Sequence, residues 1–229
     1  KKWDRLFGGS SDDQGFGIEV VTSGGFILAG YSASNGGTFV ETNAGGEDAW
    51  LLKTESDGDF LWSKNYGSSN NERFISVLNT IDNGFLAAGH TSSSIDNNSG
   101  LKDLYLVKTD SNGELEWQKT IGGSNDDEFT KMIKTSDDGF LAVGFSKSSD
   151  GAIGSNAGAQ DAIAFKLDSE GETIWSTVIG GSGSEEAHDA VELPDGSYLI
   201  GILSESSVNG DFSTTSKGDY DYWIFSVFV

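Results

Sequence analysis

Apolar residues in this chain come in short runs bounded by Gly, Asp, Asn and Ser, and no stretch of a dozen residues carries the three-to-four-residue spacing of an amphipathic helix. Four such runs occur in the first quarter: Gly17 to Thr22, Phe26 to Ser32, Asp48 to Thr54 and Phe60 to Tyr66. We name them A, B, C and D. The A–B links (SGG, IDNG, SDDG, PDG) and the C–D links (ESDGD, DSNGE, DSEGE) are short and rich in residues that tolerate positive φ, which predicts antiparallel hairpins. Run B is apolar on successive residues (FILAG, FLAAG, FLAVG, YLIGI), and so is run C (AWLL, LYLV, AIAF, YWIF). Both patterns predict strands covered on two faces. The small residues Gly30, Gly89 and Gly144 in run B are expected to let neighbouring sheets approach one another.

The whole pattern repeats four times. Trp3, Trp62, Trp117 and Trp175 mark it at spacings of 59, 55 and 58 residues, and near-constant self-similarity marks a unit that buries its apolar face only by stacking on copies of itself. The chain opens on a D-like run, Lys2 to Phe7, and ends on a C-like run, Tyr222 to Val229. These features predict an all-β fold: a β-propeller of four blades, each of four antiparallel strands, closed by pairing of the N-terminal strand with the last blade. One domain is expected over 1–229, with blades at approximately 17–66, 73–121, 128–179, and 187–229 plus 1–7. Two alternatives keep the repeat without that closure: half of a larger ring, and an open β-solenoid.

The pattern W-x-K-x-x-G-G-S, then acidic residues, then T-x-D-G-G-F-L-x-A-G-x-S, then D-x-W-L-x-K-x-D-x-x-G, resembles the propeller repeats of secreted and cell-surface proteins of Bacteroidetes and some archaea. The resemblance covers nearly the whole chain and implies an extracellular location, secreted or at the cell surface, with adhesion and type IX secretion as the family's associations. The fourth copy departs from it, with Thr177 and Ser226 at the usual Lys positions. The D-x-x-G-x-x-x-W elements at Asp110 to Trp117 and Asp168 to Trp175 are also similar to the tryptophan-docking repeat of quinoprotein dehydrogenases, a likeness of blade architecture.

Charge narrows the partners. With 14 basic and 36 acidic side chains the net charge is −22, which repels nucleic acid and anionic membrane surfaces. No apolar run is long enough to insert in a membrane, and none reads as a signal peptide. There is no Cys, so thiolate metal sites and Cys nucleophiles are excluded. His90 and His188 lie at different repeat positions, without the pattern of a nucleophilic triad. Because the chain begins inside a repeat, it is expected to belong to a longer chain or assembly.

In an antiparallel meander the D–A and B–C connections share one side of the molecule, and here they are the variable ones. That side is the expected binding face. Its candidate ligand residues are Asp12, Asp13, Asn71, Glu72, Asp126, Asp127, Glu185 and Glu186 from the D–A loops, with Phe39 and Phe212 from the B–C loops. The competing reading makes the acids solvated turn residues. Calcium is the metal that clustered carboxylates would select, although no D-x-D-x-D-G loop is present and no cofactor is expected. Asp48, Asp103, Asp161 and Asp221 open each run C and are expected to fix the B–C loops, while the four repeated Trp are expected to wedge between sheets. The functional expectation is a binding or adhesion module for a glycan or a protein, with no catalytic residues assigned. Its rivals are a carbohydrate-active hydrolase or lyase using rim carboxylates, and a structural spacer in a larger surface protein. The sequon Asn97-Asn98-Ser99 matters only in a glycosylating host.

Overall fold

The computed structural model describes residues 2–37, 41–95, 101–205, 210–213 and 217–228. Among them are fifteen strands and no helix. Sheet 1 contains β1 (Asp13–Val20), β2 (Phe26–Ser32), β3 (Asp48–Thr54) and β4 (Phe60–Tyr66); sheet 2 contains β5 (Glu72–Asn79), β6 (Phe85–Thr91), β7 (Asp103–Thr109) and β8 (Leu115–Ile121). Sheet 3 contains β9 (Asp127–Lys134), β10 (Phe140–Ser146), β11 (Asp161–Leu167) and β12 (Thr173–Ile179). Sheet 4 has three strands: β13 (Glu185–Glu192), β14 (Tyr198–Ser204) and β15 (Asp221–Val227). Each sheet is a meander in chain order.

Runs B, C and D of the first repeat coincide with β2, β3 and β4. Run A begins earlier than its apolar residues suggest, because the strand starts on the acid, Asp13, whose carboxylate is held by the Ser32 hydroxyl of β2 and by the Ser34 hydroxyl just past it. The chain divides into two compact units: Lys1–Asn98 with Tyr105–Thr120, and Ser99–Leu104 with Ile121–Val229.

In the first unit, Ala29, Ala49 and Leu51 of sheet 1 share a core with Phe74, Val77, Ala87, Tyr105 and Val107 of sheet 2. Trp62 packs on Phe85 with ring centroids 6.1 Å apart, and Tyr105 stacks on Phe74 at 5.8 Å. In the second unit the same positions recur. Leu141, Val143, Ala162 and Ala164 of sheet 3 meet Ala187, Ala190, Ile200 and Ile202 of sheet 4, with Trp175 against Tyr198 at 5.8 Å. Trp62 and Trp175 thus each anchor one sheet on the next within their unit, as a large apolar ring at a fixed repeat position can.

Two expectations are corrected. The N-terminal run was expected to be a strand paired with the last blade, yet residues 2–9 form no strand and, among the described residues, β15 pairs only with β14. The run lies instead on sheet 1: Trp3 packs on Phe26, Phe7 on Phe60, and Arg5 forms an ion pair with Asp59 at 2.7 Å. Among the described residues no strand pairs with it, so its backbone joins no ladder.

The role of the B-strand glycines also differs from the expected one. Each of β1, β5, β9 and β13 carries a bulge, between Gly15 and Gly17, Phe74 and Ser76, Phe129 and Lys131, and Ala187 and Asp189. The bulge turns the preceding carbonyl onto the partner strand, so a Cβ on Gly30 would lie 1.8 Å from the Gln14 oxygen, one on Gly89 1.8 Å from that of Arg73, and one on Gly144 2.0 Å from that of Glu128. These glycines make room within their own sheet, not between sheets.

The turn side of the sheets carries a buried cation in two repeats. Lys108 is almost fully buried, and its ammonium binds Asp82 at 2.7 Å and Glu116 at 2.6 Å; Lys166 binds Asp137 at 2.8 Å. Burial alone would raise Asp82 and Asp137. The lysine, the Thr80 or Thr135 hydroxyl and the Gly84 or Gly139 N–H together outweigh it and hold each carboxyl at about 2. A carboxyl depressed in the folded state contributes stability that is complete above its unfolded value and is lost as pH falls through the folded one. Thermal unfolding should therefore show a loss of stability between pH 4 and pH 2 that is shallower in Asp82→Asn and Asp137→Asn. An unchanged acid limb in the double variant would remove these pairs from the account.

Candidate functional site

The D–A and B–C connections lie together in each unit. In the first, Glu47 bridges to Asn71; in the second, Lys102 bridges to Asp126 and Gln160 to Ser184, each joining the end of a B–C loop to the next D–A loop. Backbone N–H groups of Ala152 and Asp211 also donate to the Gly122 and Gly180 carbonyls, at 3.0 Å each, tying B–C loops to the D–A loops of their own repeats.

A carboxylate at the start of strand A organises each junction. Asp127 accepts hydrogen bonds from the Gly123 N–H at 2.8 Å, from the Ser148 hydroxyl at 2.9 Å and from the Ser146 hydroxyl. Glu72 accepts from Ser68 N–H and the Thr91 hydroxyl, Glu185 from Gly181 N–H and the Ser204 hydroxyl, and Asp13 from Gly9 N–H and the hydroxyls of Ser32 and Ser34. Glu72, Asp127 and Glu185 are completely buried. Burial pushes Asp127 up despite the opposing pull of its donors, Ser146 foremost. A carboxylate so enclosed cannot meet a ligand, so the structure reassigns Glu72, Asp127 and Glu185 from ligand candidates to loop anchors; Asp13 anchors its loop in the same way but is only half-buried and stays open to the rim. A sequence signal existed for this: a Ser or Thr recurs 19 residues after the acid in every repeat, at Ser32, Thr91, Ser146 and Ser204.

The second repeated carboxylate holds the B–C loop. Asp48 accepts from Ala44 N–H at 2.7 Å and Asp161 from Ala157 N–H at 2.6 Å; Asp221 accepts from Lys217 N–H. In both N-A-G-x-x-D stretches the Asn closes the loop: Asn43 and Asn156 donate to the Ser32 and Ser146 carbonyls, at 2.8 Å each. Asp103 is equally buried, at the same place. Two carboxylates converge at these junctions. A Cβ on Gly67 would lie 2.6 Å from Glu72 Oε2 and 2.7 Å from Asp48 Oδ1, and one on Gly122 2.2 Å from Asp103 Oδ1 and 2.8 Å from Asp127 Oδ2. Burial, with the Glu72 charge adding to it against the Ala44 N–H, raises Asp48; burial and Glu185 likewise raise Asp161. Among the described residues no group of three or more His, Cys, Asp or Glu side chains converges as a metal site would require.

What the rim leaves in solvent is the residue before each anchor. Asp12 and Asn71 are exposed, and Asp126 is half-buried with Lys147 at 3.3 Å. The expected pairing slips in the fourth repeat, where the residue before the anchor is Ser184. Glu186 follows the anchor, half-buried, with His188 at 3.8 Å. That position carries an ion pair elsewhere: Arg73 with Glu47, and Lys102 with Glu128 at 2.7 Å, the charges exchanged between junctions. Sequence reasoning passed over this pair because each charge is unremarkable alone. Phe212 is corrected too: it is buried, edge-on to Trp223 at 4.9 Å and to Phe225 at 5.4 Å, and belongs to the core. Phe39 and the sequon at Asn97 lie outside the described residues.

A polar depression of about 390 Å³, lined by Leu6, Phe7, Gly8, Gly9, Ser11, Asp12 and Asp13, opens on this rim in the first unit. The rim can therefore offer carbonyls, hydroxyls, amides and a few carboxylates, held in place by buried hydrogen bonds.

No family model matches this chain. It is 27% identical over 173 residues to the regulatory protein FlaEY of Caulobacter vibrioides, an alignment that spans 68% of this chain and 18% of that protein. Among solved structures it is similar, with a TM-score of 0.44 and 9% identity, to a protein of unknown function from Bacteroides caccae, over 83% of this chain and 54% of the other. The chain thus spans under a fifth of the length of the curated relative it matches.

Proposed function

We propose that this chain is a run of four β-propeller blades serving as an extracellular binding module without catalytic chemistry, its D–A and B–C loop rim presented to a glycan or protein. The observation that carries the reading is the anchoring of that rim. Each D–A loop is fixed by a strand-A carboxylate, and the B–C loops of the first, third and fourth repeats by the Asp opening strand C. A preorganised polar surface loses little conformational entropy on binding, and several weak loop contacts then act together. The enclosure of Asp127 speaks against a hydrolase built on the Asp126–Asp127 pair, since a catalytic acid must reach its substrate.

The test is a glycan array and a pull-down with the wild-type chain and with an Asp12→Ala, Asn71→Ala, Asp126→Ala triple variant. All three side chains lie outside the core, so the variant should fold normally and lose at least about tenfold in affinity. Binding that is unaffected by the triple variant would move the site elsewhere. New reducing ends from an incubated polysaccharide would replace the binding reading with the hydrolytic one.

A further inference from the structure

A carboxylate that receives a single hydrogen bond has an oxygen to spare, and at two junctions the spare oxygen is turned toward a second carboxylate. Asp48 and Asp161 are each 1% exposed. One oxygen of each, Oδ2, accepts an N–H, from Ala44 at 2.7 Å and from Ala157 at 2.6 Å. The other, Oδ1, is buried with no hydrogen-bond partner. It faces the glycine that opens the following D–A loop: a Cβ on Gly67 would lie 2.7 Å from Asp48 Oδ1 and 2.6 Å from Glu72 Oε2, and one on Gly180 2.3 Å from Asp161 Oδ1. Asp103 and Asp127 flank Gly122 in the same arrangement. Glu185 stands to Asp161 as Glu72 does to Asp48, next to the bridges of Gln160 to Ser184 and Glu47 to Asn71. Each pair lies within one compact unit.

Two carboxylates enclosed in this way call for a proton or a cation between them. The charged groups that act on the two aspartates are acidic: Glu72 on Asp48, and Glu185 and Asp211 on Asp161. Arg73, which follows Glu72 in the chain, is bound to Glu47. Among the described residues no third His, Cys, Asp or Glu joins either pair to make a metal site. A proton needs neither extra ligands nor a cavity. Donor counts say where it resides, since Glu72 and Glu185 each accept an N–H and a hydroxyl, whereas each aspartate accepts one N–H.

From this we infer that Asp48 and Asp161 are un-ionised in the folded protein at mildly acidic pH, each carrying its proton on Oδ1, on the side of Glu72 or Glu185. The B–C loops that hang on Ala44 and Ala157 are then held tightest in acidic medium and loosen as the proton leaves. Burial and the neighbouring acids raise both carboxyls against the opposing N–H groups, in keeping with this geometry. A carboxyl raised in the folded state binds its proton more tightly there than in the unfolded chain. Its effect on stability is therefore a loss as pH climbs from the ordinary aspartate value to the raised one, and none beyond. This window lies above that of Asp82 and Asp137. The inference concerns the frame beneath the rim and does not rest on the ligand proposed above.

Thermal unfolding from pH 5 to pH 8 tests it, with the wild-type chain and an Asp48→Asn, Asp161→Asn double variant. An Asn can turn its oxygen to the Ala44 or Ala157 N–H and its amide hydrogens to the neighbouring acid, copying the un-ionised form. The variant should therefore show a flatter profile and melt about 2–4 °C above the wild type at pH 8. Both proteins share every other titratable group, so the difference between profiles reports these two carboxyls. Unfolding by urea at pH 6, followed with an indicator dye, should release more protons from the wild type than from the variant. Each single variant should show about half of either change, which keeps the question answerable if the double variant does not fold. Variants that melt below the wild type at pH 8, parallel profiles or equal proton release would overturn the proposal. A wild-type melting temperature lowered by EDTA would overturn it in favour of a metal ion shared by the pair. Altered glycan binding with these profiles as expected would bear on the ligand reading alone.

Discussion

Replacing Asp127 with Ala is expected to destabilise the second unit by roughly 3 kcal/mol, because it strands buried donors and leaves a cavity. The carboxylate serves the Gly123 N–H and the hydroxyls of Ser146 and Ser148, and Ser146 in turn accepts from the Ser148 N–H at 3.0 Å. Both serines and the acid are wholly buried, so none of these groups regains water when the acceptor goes. Asp127→Asn keeps the volume and one good acceptor and should cost about half as much. In a chain of this size the Ala variant would lower the melting temperature by about 10 °C. Urea denaturation of both variants measures the difference; a loss below about 1 kcal/mol for Ala would show that the loop anchor is dispensable. Rim substitutions such as Asp126→Ala, one residue earlier in the chain, should by contrast be nearly neutral for stability.

That contrast between adjacent acids marks how far the sequence could be read. Strand positions were legible because their signals are local: apolar runs at B and C, a Trp on D, and Gly with Asp or Asn in the turns. The full extent of strand A was not, since Asp13, Glu72, Asp127 and Glu185 look like turn residues until their distant Ser or Thr partners are placed beside them. Side chains that a repeat buries through contacts far along the chain carry no local mark of burial. Phe212 misled in the same way: an isolated aromatic in a polar loop, it turns out to fill the space over Trp223 and Phe225. Trp3 was legible as a packing residue, although it rests on Phe26 of sheet 1 and not between two sheets, and the strand expected around it was not decided by its own residues. A strand exists only where a partner edge lies beside it, and residues 2–7 have none within the sheets described.

Gly89→Ala should be among the most damaging single-methyl changes available to this chain. The added Cβ would stand 1.8 Å from the Arg73 carbonyl oxygen and 2.8 Å from its carbon, both backbone atoms of the adjacent strand, so no side-chain rotation relieves the overlap. Gly89 is not among the glycines with positive φ, so the backbone angle itself admits alanine and the cost isolates the clash. Relief requires either undoing the β5 bulge or parting β5 from β6 beside the fully buried Phe74, Ala87 and Ala88. Overpacking of this kind is expected to cost about 3 kcal/mol or more. The control is Gly15→Ala on β1, where a Cβ meets nothing within 4 Å; it should change stability by no more than about 0.5 kcal/mol, or raise it slightly by restricting the unfolded chain. Equal unfolding midpoints for the two variants would mean that the bulge is not what demands glycine at this position. A selective loss in Gly89→Ala would tie the strand-B glycine of the first three repeats to the carbonyl that the β1, β5 and β9 bulges turn toward it.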